Sequence, residues 1–199
     1  MRMILATGNA HKLAEFRAAF AAGGYDIELL TPRDVGFTGD IAETADSFEG
    51  NAYIKAKALC DFTGDIAIAD DSGLETDALC GAPGVYSARF AGENATDAEN
   101  NEKLLGLLKN TPDTERAARF VCVICACKPG GERLFVRGES RGRIIETPRG
   151  ADGFGYDPIF LHESGKTFAE MTQAEKNAVS HRGNALRLLT EALRETYTK

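Results

Sequence analysis

Residues 66–92 read IAIADDSGLETDALCGAPGVYSARFAG, and the first eight of them decide the fold. Ile66 to Ala69 are small or branched and apolar, which suits a short buried strand. Asp70 and Asp71 stand where that strand is expected to end, because Ser72-Gly73 is a turn signal. Strand ends are where α/β proteins keep their ligands. Adjacent side chains on a strand point to opposite faces, so one carboxylate is expected to face a site and the other to brace the turn. The plainer alternative gives both aspartates turn or capping roles.

Upstream, Arg2 to Ala6 reads as a first strand, and TGNAHK at 7–12 turns into a helix with Leu13, Phe16 and Phe20 at helical spacing. A strand, a short polar glycine turn and a helix start present free backbone N–H groups, a usual seat for an anion. A second helix is expected from about Asp46 to Cys60. Downstream, Thr96 with Glu99 forms a capping box for a helix carrying Leu104, Leu105, Leu107 and Leu108. Arg119 to Cys127 and Arg133 to Val136 read as strands joined across PGG. Thr172 with Glu175 is another capping box, and after SHRG at 180–183 comes a helix with Leu186, Leu189 and Leu193. Helices interleaved with crossover strands and a hairpin imply an α/β fold with a mixed sheet.

The 199 residues suit one domain over 1–199, with no linker, repeat or low-complexity tract. Hydrophobic content of 43% and charged content of 27% are ordinary for a globular chain. The longest apolar run, Phe120 to Ala126, is far short of a membrane span, and MRMILATGN lacks the apolar core of a signal peptide. A cytoplasmic protein with no membrane partner is expected. Net charge of −7 gives no general attraction to nucleic acid, so an anionic ligand needs local cations or a metal. The five cysteines suggest no disulfide framework, and the CxxC of Cys122 and Cys125 lies in a strand-like run, which favours burial over metal or redox chemistry.

Beside a polyphosphate an ionised aspartate repels its ligand unless a divalent cation intervenes, and Mg²⁺ suits one or two carboxylates plus phosphate oxygens. At 100° per residue, Phe48, Ala52, Lys55 and Leu59 share one helical stripe while Lys57 lies opposite. Lys55 therefore points inward, where its ammonium needs an anion or must snorkel to water. Two motif matches fail: GKT at 165–167 has Phe160 where a Walker loop needs glycine, and GFGYDP at 153–158 has Pro158 at the third glycine of a dinucleotide fingerprint. Phe154 and Tyr156 can instead offer flat faces to a base, core packing being the alternative. Lys176, His181 and Arg182 supply donors that suit a keto oxygen or phosphate and disfavour an exocyclic amino group.

Taken together, TGNAHK at 7–12, NAYIKAKA at 51–58, ADDSGLETDALCGAPGVYSARFAG at 69–92, GFGYDPIF at 153–160 and SHRG at 180–183 resemble, in order, the motifs of the inosine triphosphate pyrophosphatase family. The resemblance implies an α/β fold with an elongated mixed β-sheet, flanking helices and two lobes around a central active-site cleft, assembled as a homodimer. It implies Mg²⁺-dependent hydrolysis of ITP, dITP and XTP between the α- and β-phosphates. On matching positions, Thr7, Gly8, Asn9, Ala10, His11 and Lys12 would hold the triphosphate, with Asn9 and Lys12 foremost. Asp71 would be the Mg²⁺ ligand or general base, Glu43 a second acidic contributor to the metal, Lys55 a phosphate contact and Ser72 a nearby polar contact. Phe154, Gly155, Tyr156, Asp157, Lys176, His181 and Arg182 would form the base and sugar pocket. Gly50 departs from the glutamate of many relatives. A relative acting on another modified nucleotide and a non-catalytic nucleotide sensor are the alternatives; the presence of both Glu43 and Asp71 argues against the sensor.

Overall fold

The computed structural model describes residues 1–197, with side chains to residue 194. Its strands are β1 (Arg2–Leu5), β2 (Glu28–Leu30), β3 (Ile66–Thr76), β4 (Ala117–Cys127), β5 (Arg133–Ile144) and β6 (Phe160–His162). The helices are α1 (Ala10–Ala22), α2 (Phe48–Thr63), α3 (Asp97–Leu107), α4 (Gln173–Val179) and α5 (His181–Tyr197). The strands form one sheet in the order β2-β1-β3-β4-β5-β6. β1 runs parallel to both β2 and β3, with Met3 opposite Leu29 and Ile66, whereas β5 and β6 are antiparallel, with Arg143 opposite Leu161. The sheet is therefore mixed, as expected.

The chain divides into two compact units, one of Met1–Asp71, Cys122–Gly138 and the chain from Gly183 onward, the other of Ser72–Val121 and Glu139–Arg182. In the first unit Met3 and Leu5, with Cys122, Ile124 and Ala126, recur at the strand period of two and pack with Phe16 and Phe20 of α1 and Leu186, Leu189 and Leu193 of α5. The alternate residues Ile4, Ala67, Ala69, Val123 and Cys125 are fully buried as well and point to the opposite face. α2 buries Phe48, Ala52, Ala56 and Leu59, leaves Lys55 partly covered and exposes Lys57, so the stripe read from spacing is the inward face.

The second unit is built on an aromatic cluster. Phe120 lies 4.7 Å from Phe160 in an edge arrangement and 5.5 Å from Phe168 in a stacked one, with Leu74, Leu104, Leu108, Tyr156 and Met171 packed around them. Both expected capping boxes form, at Thr96/Glu99 for α3 and Thr172/Glu175 for α4. Leu104 and Leu108 are buried, Leu105 packs beside them partly buried, and Leu107 is exposed, since at 100° per residue it lies away from the arc those three cover. Cys122 and Cys125 are both buried; three residues apart on one strand, they face opposite ways, and burial pushes the Cys125 thiol up to about 12.

Three expectations need correction. β3 does not stop at Asp71 but runs on through Ser72-Gly73 to Thr76. The local turn preference of Ser-Gly is overridden by the neighbouring strand β4 and by the Leu74 N–H, which donates to Ser87 Oγ at 2.8 Å. The last helix does not wait until after SHRG: α4 ends at Val179, Ser180 alone turns the chain, and His181 and Arg182 open α5 as buried residues. Tyr156 offers no stacking face, since its ring is core and its hydroxyl donates to the Ser87 carbonyl at 2.9 Å.

Candidate active site

Because β3 continues past the aspartates, their side chains diverge to opposite faces of one strand. Each finds a different lysine. Asp70 is 2% exposed and pairs with Lys12 of α1 at 2.9 Å. Asp71 meets α2, where Lys55 Nζ lies 3.3 Å from Oδ1 and Asn51 Nδ2 donates to Oδ2 at 3.2 Å. Asp70 thus braces Lys12 rather than a turn.

Lys55 Nζ also lies 2.8 Å from Glu43 Oε1, so two carboxylates converge on one ammonium. Burial works against the charge on Lys55, and the Asp71 and Glu43 carboxylates outweigh it, holding its pKa above the usual lysine value. For Asp71 the balance falls the other way. Burial raises its pKa, Lys55 pulls it down, Glu43 pushes it up again, and the net shift is upward.

Asn51, the first residue of NAYIKAKA, has no role assigned by sequence alone. It is fully buried, and besides reaching Asp71 its Oδ1 accepts the Ala45 N–H at 2.9 Å. One side chain thereby ties Asp71 to the segment that carries Glu43. The signal was present: Asn51 lies four residues before Lys55, so the two share a helix face. Gly50 belongs to the same packing, since a Cβ there would come 2.4 Å from Ala45 Cβ.

The turn before α1 is less open than its sequence suggests. Thr7 Oγ1 accepts the Asn9 N–H at 3.1 Å, and Asn9 Oδ1, as N-cap, accepts those of His11 at 2.8 Å and Lys12 at 3.2 Å. Three of the donors expected for an anion are therefore engaged within the turn itself. Thr7, Gly8, Asn9, Ala10 and His11 are nonetheless at least partly exposed, and Lys12 stands with Asp70 at the foot of α1.

In the second unit, Asp157 Oδ2 accepts the Phe154 N–H at 2.9 Å and lies 2.5 Å from Lys176 Nζ. Burial pushes the Asp157 carboxyl up, and Lys176 only partly offsets it. Lys176 Nζ also sits 4.7 Å from the centre of the Phe154 ring, which is 61% exposed. His181 stacks on Phe120 at 4.9 Å, and both His181 and Arg182 are buried. Ser72 follows Asp71 on β3 and is partly exposed. A separate cavity of about 610 Å³ in this unit, lined by Arg119, Arg141, Arg143 and His162 among others, holds none of these residues. All three of these arginines are paired with carboxylates, Arg119 with Glu75, Arg141 with Glu139 and Arg143 with Asp113, so the acid and lysine geometry is the better guide to chemistry.

Glu43 and Asp71 suit Mg²⁺, which takes one or two protein carboxylates and completes its shell with water and phosphate oxygens. Among the described residues no three His, Cys, Asp or Glu side chains gather into a self-sufficient metal cluster. An ion here would draw its remaining ligands from outside the protein.

Fold and site define an α/β protein whose central strand presents acid and lysine pairs on both faces. The chain belongs to the Ham1 family, whose model matches residues 3–192. It is 50% identical over 194 residues to a dITP/XTP pyrophosphatase of Exiguobacterium sibiricum, covering 97% of each chain. It superposes on the Ham1 protein of Staphylococcus aureus with a TM-score of 0.91 at 40% identity, covering 98% of this chain and 100% of the other. A nucleoside-triphosphatase / dITP/XTP pyrophosphatase of Mycobacterium abscessus matches with a TM-score of 0.83 at 44% identity, covering 98% and 100%.

Proposed function

We propose that this chain is a nucleoside triphosphate pyrophosphatase that hydrolyses the non-standard purine nucleotides ITP, dITP and XTP to the monophosphate and pyrophosphate. The observation that carries this reading is the convergence of Glu43 and Asp71 on Lys55 Nζ, in a chain half identical to a protein named for that reaction. In the reaction a water oxygen attacks the α-phosphorus, the bond from that phosphorus to the α,β-bridging oxygen breaks, and pyrophosphate departs. Asp71 accepts the proton of the water, a role for which its raised pKa suits it better than an ordinary aspartate. Lys55 contacts phosphate while holding Asp71 and Glu43 in place, and Lys12 and Asn9 hold the remainder of the triphosphate. Bound Mg²⁺, with Glu43 as its protein ligand and Asp71 left free as the base, would supply charge neutralisation at the phosphates.

Phe154, Lys176, His181 and Arg182 take the base and sugar, with Phe154 stacking and the other three supplying donors to a keto oxygen. The proposal extends to a homodimer in the cytoplasm. Among the described residues no helix is long and apolar enough to cross a membrane, and net charge is −7, so neither membrane nor nucleic acid is proposed as a partner.

The test is product analysis with Mg²⁺ and ITP, dITP, XTP, ATP, GTP or dTTP. Monophosphate and pyrophosphate from the first three, with little turnover of the others, is the expected result. Orthophosphate release would overturn the site of attack, and indifference to the base would overturn the specificity.

A further inference from the structure

An exposed aromatic ring keeps a fixed orientation only if its backbone is held. Phe154 is such a ring, and the backbone on either side of it is tied down by side chains. Its own N–H goes to Asp157 Oδ2 at 2.9 Å. The next residue is gripped by both of its backbone polar groups, since the Gly155 N–H donates to Asp97 Oδ2 at 2.6 Å and the Gly155 carbonyl accepts from Asn101 Nδ2 at 2.9 Å. One residue further, the Tyr156 hydroxyl is tied to the Ser87 carbonyl.

Asp97 and Asn101 both belong to α3 and lie four residues apart, so they share a face of a rigid helix. Their hold on Gly155 fits that residue's backbone. With φ of 60° it occupies the left-handed region, and a Cβ there would meet nothing within 4 Å, so conformation rather than space calls for glycine. Asn101 Oδ1 is buried without a hydrogen-bond partner, an unfavourable arrangement that an apolar residue at 101 would avoid. The asparagine is accounted for by what its other atom does, which is to fix Gly155.

We propose that Asp97 and Asn101 are positioning residues that set base selectivity, by clamping both polar groups of Gly155 and thereby aiming the Phe154 ring. The inference rests on the reading that Phe154 stacks on the base. Neither residue is expected to touch the reacting phosphates, so their loss should act on the choice between nucleotides more than on turnover.

The experiment compares kcat and KM for ITP and for ATP in the full chain carrying Asp97→Ala, Asn101→Ala, Asp97→Asn or Phe154→Ala, with melting temperatures recorded for each. Asp97→Ala and Asn101→Ala are expected to lower the ITP-to-ATP ratio of kcat/KM by about tenfold, chiefly through KM for ITP. Asp97→Asn keeps an acceptor oxygen for the Gly155 N–H and is expected to restore most of the ratio. If Asn101→Ala does not fold, Asn101→Gln, which keeps the amide but moves it by one methylene, carries the same expectation. Unchanged preference in the α3 variants, with preference lost in Phe154→Ala, would overturn the clamp and leave the base reading standing. Unchanged preference in Phe154→Ala would overturn the base reading and the clamp with it.

Discussion

Replacing Lys55 with methionine keeps the apolar stem and removes the charge that two carboxylates share. Glu43 Oε1 and Asp71 Oδ1 lie 2.8 and 3.3 Å from Lys55 Nζ, hence no more than about 6 Å from each other. At that spacing two negative charges repel by about 3 kcal/mol for an effective dielectric of about 20. The Glu43 side chain is 33% exposed, which screens the interaction toward about 2 kcal/mol. A chain of this size should therefore lose roughly 4–12 °C in Tm near pH 8. The sign with pH follows from Asp71, whose folded pKa is already above its ordinary value and rises further when the cation goes. The cost is absent below the unfolded pKa and appears as pH rises through the folded one, so Lys55→Met and the parent should converge at about pH 4. Adding Asp71→Asn removes one of the charges and should recover most of the loss at the higher pH. Thermal melts of the three proteins across that range are the assay. A loss of equal size at both ends, unaffected by the second substitution, would mean that Lys55 contributes only its packed stem.

Asp71→Asn alone should reduce kcat on ITP by about 10² to 10⁴-fold, measured by pyrophosphate release, since it cannot take a proton from water. Phe154→Ala should raise KM for ITP by about tenfold or more, from about 1–3 kcal/mol of lost stacking, with kcat little changed. Gly50→Ala places a methyl 2.4 Å from Ala45 Cβ and should cost about 1–3 kcal/mol in denaturant melts while displacing the Glu43 segment. Of the five free cysteines only Cys80 is exposed, so a thiol reagent should label the native protein once, at Cys80, and mass spectrometry of the digested protein should locate that label.

Periodicity made much of this legible. The inward stripe of α2, the leucines of α5 and both capping boxes follow from spacings within one helix turn, which the rest of the fold has no means to alter. What escaped was decided at longer range. Ser72-Gly73 prefers a turn in isolation and became strand because the sheet supplied partners. Tyr156 resembles Phe154 in sequence, yet one is core and the other exposed, a difference set by Ser87 some seventy residues away, at 2.9 Å. Asn51 and Asn101 read as ordinary helix polar residues until Asp71 and Gly155 are brought against them. Placing each four residues from a charged neighbour, Lys55 and Asp97, was the one local hint.

The two acid and lysine pairs on β3 also bear on how a nucleotide arrives. Lys12 is matched by Asp70, and Lys55 by Asp71 and Glu43, before any ligand is present. The net charge of the chain is −7. A triphosphate diffusing in from solution therefore meets no unbalanced positive field from these lysines, and the long-range force between the two bodies is repulsive. Encounter is unsteered, and added salt hastens it by screening like charges, the reverse of what a cationic funnel would produce.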